Sequence, residues 1–579
     1  MINRFKSALL NAVTGNPGED RVVNGTHNGA SSSGSGTKSS SGDSSVSTRS
    51  VRYEYSRPHF LNLLSQDEIQ VSADHGVRPI IVPRDLSTLP WSVGYAETIN
   101  SGKSKRNEDQ ARLHSGVLEF QVSFNASEAS NEVLSVQSYK IPYKYFALFD
   151  GHAGPGAAVA AATQLHNILH DKLMSIAHHL TESGPFCETT TTAKSKGRGT
   201  LWYPNTDVTA DDLIVGALES AFFEMDALID YENKHFDGVD GGCTAVVCLF
   251  LLNKVYIANA GDSRAILCRR NSEALALSND FTPETERTRI RKLAAQNPEL
   301  LGGEFTSNEY LRRPVKRDIG SKILYRAAHM TGWTYKTAEQ EDLKFPVVFG
   351  QGKRSRVLAT IGVTRGFGDH ELSAHSTSAR IKPFLSSQPE VKVINIEEMI
   401  INEDDVVVMG TDGLWDVTPN DTVASIVFST VDQFPAGDPI RFKYRYASAA
   451  QDLVMHARGK FTEKRNWRMN DGSAATIDDI SVFVIPLWAY KMEIKENNPI
   501  RISGPEMRSK QLPDNALTHL PNNVSNGETG TVASLPNGLD HEMNPVEPLS
   551  DKQNNNATNQ DLSIQHEQGV VLVEDGPNH

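Results

Sequence analysis

Tyr145-Phe-Ala-Leu-Phe-Asp150-Gly-His-Ala-Gly154 runs from five apolar or aromatic residues straight into a carboxylate, a glycine and a histidine. The apolar run reads as a buried strand. An Asp at the end of such a strand, followed by a Gly that lets the backbone bend, suits a cation. An Ala-rich helical pattern begins after Gly156, so the unit is strand, tight turn, helix. Helix beginnings favour anions, so one element can hold a metal and a phosphate together. Taken alone, Asp150 reads equally well as a helix cap.

Working outward, acids recur at strand ends beside glycine. Asn107-Glu108-Asp109 follows the alternating stretch Trp91–Glu97, and Gly261-Asp262-Ser263 separates the apolar runs Val255–Ala260 and Arg264–Cys268. Gly366-Phe-Gly-Asp369 follows the strand pattern Arg356–Gly362, Thr411-Asp412-Gly413-Leu-Trp-Asp416 closes Asp405–Gly410, and Asp478-Asp479 opens Ile480–Ile485. Singly, each is an ordinary turn. Together, with almost no Lys beside them, they would repel unless divalent cations offset the charge. Oxygen-only ligands favour magnesium or manganese over zinc or copper. Two such ions can share a bridging water, lower its pKa and direct the hydroxide at phosphorus. His152, beside Asp150, is placed to protonate the leaving oxygen. The alternative for His152 is a turn histidine bonded to backbone.

The chain of 579 residues carries 57 Lys+Arg against 71 Asp+Glu, a formal net charge of −14, which argues against a general nucleic-acid binder. Cys187, Cys243, Cys248 and Cys268 are too scattered for a disulfide framework. The last three sit in apolar runs, as core thiols in a reducing compartment, so a cytoplasmic location is expected. Residues 1–13 place Met1, Ile2, Phe5, Ala8, Leu9, Ala12 and Val13 on one helical face and basic or neutral polar residues on the other. This is a short basic amphipathic helix, suited to peripheral membrane contact through Ile2, Phe5 and Leu9 or to docking on its own domain. Ile at position 2 excludes N-myristoylation. The rest of 1–50 is a Gly/Ser-rich arm, 51–490 is the globular domain, and 491–579 reads as a disordered tail. Within the domain, 125–139 reads as a loop between strands and 181–210 as a polar insertion. Helical patterns cover 156–180, 211–236 (entered by an Asp-Asp cap), 283–296, 421–431 and 445–460. Asn253-Lys254 reads as the tight connection between two strands. Strands run in series between helix pairs, which predicts a layered α+β domain with antiparallel sheets. The long charged segment 283–355 lacks periodicity and reads as a functional loop or flap.

Asn107-Glu-Asp109, Asp150-Gly-His-Ala-Gly154, Gly242-Cys-Thr-Ala245, Gly261-Asp-Ser-Arg264, Thr364-Arg-Gly-Phe-Gly-Asp369, Asp412-Gly-Leu-Trp-Asp416 and Asp478-Asp-Ile-Ser-Val482 occur in order. This set resembles the metal-dependent serine/threonine protein phosphatases of the phosphatase-2C (PPM) family over roughly residues 90–487. The 283–355 segment and the stretches Leu343–Pro346 and Ile381–Ser387 are closest to its H/J/M subgroup. The resemblance implies an α-β-β-α sandwich of two antiparallel sheets flanked by helix pairs, with an enlarged flap. It implies a binuclear Mg2+ or Mn2+ centre in which Asp150 bridges both ions. Glu108 and the Gly151 carbonyl complete one site, and Asp412 with Asp478 the other, Asp478 being preferred to Asp479 on spacing. Asp262, with Asp412 and Asp416, matches a weaker third site. Asp109 would orient a water, His152 matches the general acid, and Asp369 and Arg365 are assigned structural support. The pattern departs at Ser104, where family members often carry a phosphate-gripping Arg; Lys103, Lys105 or Arg106 are the candidates to replace it.

The function implied is hydrolysis of phosphoserine and phosphothreonine on proteins, with Rab-type small GTPases as a candidate substrate class and the flap setting substrate choice. The main rival is a pseudophosphatase that binds phosphoproteins without cutting them. Loss of Glu108, Asp150, Asp412 or Asp478 would mark such a protein, and all four are present. Another two-metal hydrolase, such as a phosphodiesterase, is the second rival.

Overall fold

Two five-stranded antiparallel sheets take up most of the apolar strand runs. The computed structural model describes residues 50–63, 65–125, 133–180, 208–375 and 377–496, all within one compact unit. The principal strands are β1 (Gly94–Thr98), β2 (Gln110–Asn125), β3 (Val133–Phe149), β4 (Ala245–Leu251), β5 (Lys254–Ala260), β6 (Arg264–Cys268), β7 (Glu390–Asn395), β8 (Val406–Gly410) and β9 (Ile480–Pro486). The principal helices are α1 (Gly156–Ile176), α2 (Ala210–His235), α3 (Arg287–Gln296), α4 (Asn420–Val431), α5 (Arg445–Arg458) and α6 (Leu487–Glu496). One sheet has the order β7-β5-β4-β3-β2; the other runs β1-β9-β8-β6 and ends on Leu275–Ala276.

Strand alternation divides the apolar residues among separate cores. Phe146 and Leu148 of β3 pack with Val246, Phe250, Leu267, Met409 and Phe483, so this core lies between the sheets. Their neighbours Tyr145, Ala147 and Phe149 turn the other way, onto Leu165 of α1 and Phe222 of α2. Val408, Val482 and Val484 meet Val427 of α4 and Leu453 of α5. Each of these large side chains contributes roughly 1.5–3 kcal/mol on burial. Register follows from this: a slip of one residue would exchange the two faces of a strand. The arrangement is α+β, as expected.

The segment 283–355 is less irregular than its sequence suggests. It holds α3, a three-stranded antiparallel unit (Glu309–Tyr310, Lys322–Arg326, Thr334–Thr337) and the parallel pair Phe305–Thr306 with Phe345–Pro346. Ile290, Phe305, Val347 and Phe384 share an apolar core of their own. Strand pieces of two to five residues are too short to show a period.

Other local expectations are corrected. The 125–139 loop is strand from Val133 onward, because β3 extends to pair with β2. Only Arg356–Val357 of the expected strand to Gly362 is extended; Leu358 and Ala359 turn through φ of 47° and 54°. Thr209, not the Asp pair, caps α2: its hydroxyl accepts from Asp212 N–H and the Asp212 carboxylate accepts from Thr209 N–H at 2.8 Å. The β4–β5 turn is Leu252-Asn253, with φ of 48° and 62°, one residue earlier than read. α6 continues past position 490, where the tail was expected to begin. Trp91 Nε1 donates to Glu493 Oε2 at 2.5 Å and Tyr490 is buried. The 1–13 helix with Ile2, Phe5 and Leu9, the arm, most of the 181–210 insertion and the tail beyond 496 lie outside the described residues. Among the described residues no helix is long and apolar enough to cross a membrane.

Candidate active site

β3 delivers Asp150 to the rim of the two sheets. The next two residues, Gly151–His152, pair antiparallel with Gly242–Cys243, which in turn pair with Phe367–Gly368. This short ladder carries Asp369 to His152: Asp369 Oδ2 lies 2.6 Å from His152 Nε2. Asp369 holds a left-handed backbone, φ 56°, and its N–H donates to Gly241 O. A Cβ on Gly242 would stand 2.3 Å from Asp369 Oδ2 and 2.8 Å from His152 Nε2, so only glycine admits the pair. A Cβ on Gly151 would meet the Glu108 carbonyl at 2.4 Å, which fixes how closely those two loops approach.

The acids come from separate strand ends. Asp412 N–H donates to Asp150 Oδ2 at 3.3 Å, and Gly154 N–H donates to Glu108 Oε1 at 2.8 Å. Asp109 is buried; its Oδ2 accepts from Thr411 Oγ1 at 2.9 Å and its Oδ1 has no partner. Burial and the neighbouring Asp412, Asp109, Asp478 and Asp262 hold the Asp150 carboxyl well above the usual carboxylate range. Burial and Asp412, Asp280 and Asp416 do the same to Asp262. Asp412 is pushed up to about 7 by burial, Asp478 and Asp416. The structure therefore brings Asp150, Asp412, Asp478, Asp262 and Asp109 within electrostatic reach of one another, and burial also raises Glu108.

The Asp478-Asp479 doublet divides its work. Asp478 faces the cluster and takes Lys103 Nζ on Oδ2 at 2.5 Å. Asp479 is buried and turned to backbone, accepting from Asn100 N–H at 2.7 Å and Glu108 N–H at 3.1 Å. Of the basic candidates, Lys103 reaches the acids and Arg106 does not: its guanidinium lies over the Tyr55 ring, 4.6 Å from the centroid. Ser104 donates to the Arg106 carbonyl and accepts from Asn100 Nδ2. From the 283–355 segment, Lys353 Nζ reaches Asp416 Oδ1 at 2.8 Å.

Among the described residues no three His, Cys, Asp or Glu side chains stand in metal-holding geometry; Lys103 and backbone N–H groups contact several of the oxygens. The donor set nonetheless fits a hard divalent cation. It is all oxygen, it is mutually repulsive, and the buried Asp109 carboxylate beside it keeps one oxygen unpartnered.

Sequence reasoning missed several supports. Arg57, buried, donates to the Asp109 carbonyl at 2.7 Å and to Glu97 Oε1 at 2.8 Å, pinning the acidic loop. No local pattern marks it, because it acts on backbone far along the chain. Thr411 and Asn100 were also missed.

The protein phosphatase 2C family model matches residues 118–299 and 347–465. The chain belongs to the protein phosphatase 2C family. Protein phosphatase 1H of Homo sapiens is 42% identical over 529 residues, covering 84% of this chain and 99% of that relative. Protein phosphatase 1H of Xenopus tropicalis is 44% identical over 479 residues, covering 76% and 92%. Protein phosphatase 1J of Mus musculus is 44% identical over 451 residues, covering 76% and 87%. As a member of this family the chain is a protein serine/threonine phosphatase, a hydrolase, whose substrates are phosphoproteins.

Proposed function

We propose that the carboxylate cluster is a binuclear magnesium or manganese centre at which phosphoserine and phosphothreonine are hydrolysed. The convergence of Asp150, Asp412 and Asp262 from separate strand ends, with Asp412 N–H on Asp150 Oδ2 and Asp412 raising both other carboxyls, is the observation that carries this reading. Asp150, Glu108, the Gly151 carbonyl, Asp412 and Asp478 would hold two ions, and Asp262 with Asp412 and Asp416 a weaker third. When bound, the ions supply Lewis acidity and the positive charge that phosphoryl transfer needs. Asp109 orients the attacking water. Lys103 takes the part of the missing arginine at the phosphate. His152, held by Asp369, gives its proton to the departing Ser or Thr oxygen.

The cores on either side of each sheet support an α-β-β-α sandwich, with 283–355 as an enlarged flap. Lys353 brings that flap beside the cluster, which supports its setting substrate choice. Rab-type small GTPases remain the candidate class from the subgroup resemblance, and residues 1–13 a candidate peripheral membrane contact of a cytoplasmic enzyme.

The test is phosphate release from a phosphothreonine peptide with manganese, with EDTA, and in Asp150→Ala. Release that needs metal and Asp150 supports the reading. Equal release in EDTA, or none from folded protein with either metal on peptide and whole phosphoprotein alike, refutes it; the second result favours the pseudophosphatase.

A further inference from the structure

One pocket lies away from the carboxylates. It wraps the outer edge of β2, between the N-terminal strap 56–62 and α1, with a cavity volume of about 520 Å³. That is the size of a small-molecule site. Phe60, Leu89, Leu113 and Val159 give it apolar walls, and Gln110, Arg112 and Thr163 are polar groups of its lining. Asp85 stands at the exposed rim with its carboxylate engaged by Ser87 N–H and Oγ. The buried Arg57 in the opposite wall is committed to Glu97 and backbone carbonyls.

Arg112 differs from the other charges. Among the described residues no carboxylate pairs with it. Its Nη2 lies 2.9 Å from His166 Nε2, and its buried Nε has no partner. Arginine is always protonated, so Nη2 donates and His166 Nε2 accepts. The His166 proton then sits on Nδ1, which is buried and without an acceptor. The hydroxyl of Tyr145, fully buried behind them, has no partner either. A buried donor left without an acceptor is destabilising. A half-buried guanidinium with no carboxylate partner and an unsatisfied Nε, lining a pocket with apolar walls, asks for one kind of occupant.

We propose that this pocket binds a small amphipathic acid, with its carboxylate or phosphate head on Arg112 and its apolar body between the strap and α1. Arg112 stands apart from the carboxylate cluster and takes no part in the reaction proposed above.

The test uses full-length, manganese-loaded protein and three probes by calorimetry: decanoate, decyl phosphate and decanol. At least one acid should bind one-to-one below about 1 mM and at least tenfold tighter than decanol. The tighter acid names the head group. Arg112→Gln should weaken that acid at least tenfold. Thr163→Trp, on the exposed face of α1 at the pocket wall, should do the same by filling the cavity. Retained hydrolysis of a small aryl phosphate certifies the fold of each variant, and if Arg112→Gln fails that check, Thr163→Trp decides. No binding by either acid, equal binding of decanol, or undiminished affinity in a folded Arg112→Gln overturns the proposal.

Discussion

Asp369→Asn is the substitution that most sharply separates positioning from bulk structure. Asp369 is almost fully buried, its side chain 4% exposed, and meets His152 at 2.6 Å. Asparagine keeps the shape and removes the charged acceptor that orients the imidazole. A hydrogen bond to a charged group contributes about 1.5–3 kcal/mol. Lost from the transition state, in which the oriented imidazole passes its proton to the leaving oxygen, this lowers kcat on a phosphothreonine peptide about 10- to 150-fold. An aryl phosphate, whose phenolate departs without needing a proton, should lose much less. His152→Ala with Asp369→Asn should be no worse than His152→Ala alone, because the carboxylate acts only through the imidazole. Steady-state kinetics of the two single variants and the double variant, on both substrates, supply the assay. Equal losses on peptide and aryl phosphate, or multiplicative losses in the double variant, would refute the reasoning and make Asp369 a merely structural residue.

Asp412→Asn tests the electrostatics without catalysis. In metal-free protein the folded Asp412 is raised to about 7, above the ordinary value near 4. Its contribution is therefore complete below the unfolded value and is lost as pH rises toward 7. In EDTA the wild type should lose stability relative to Asp412→Asn between about pH 4 and 7, read by urea unfolding, and manganese should rescue only the wild type. Gly151→Ala should cost about 1–3 kcal/mol in the same assay, as its new methyl meets the Glu108 carbonyl. Lys103→Gln should raise KM for phosphopeptide about fivefold, the ~1 kcal/mol of a half-exposed ion pair, while Arg106→Gln leaves KM unchanged.

Much of the fold was legible because its strands are long and apolar and end abruptly. Phe146–Phe149 running into Asp150, and Val406–Gly410 into Asp412, mark both the sheets and the site. The reading failed where local signals compete. β3 continues through polar residues from Val133 because β2 pairs with it, which no window of sequence shows. Thr209 outcompeted the two Asp residues as a cap because its hydroxyl and the Asp212 carboxylate satisfy each other's backbone N–H groups. At the site the acids were found by repetition, but their supports were not. Arg57 and Asn100 act on backbone groups brought near only by folding. Arg106 was a reasonable phosphate ligand by charge, yet the Tyr55 ring offers its guanidinium a closer face. The 283–355 segment stood out by length and charge, while its short strands, beside the core that holds Ile290 and Phe384, did not.

The central claim is that these carboxylates exist to hold two divalent ions, with Asp150 shared between them. Calorimetric titration of manganese into the metal-free full-length chain, beside Asp150→Asn, tests it most directly. The account predicts a stoichiometry of two or more in the wild type and weakening of both principal sites together in the variant. A single site, or two sites of which Asp150→Asn disturbs only one, would contradict it.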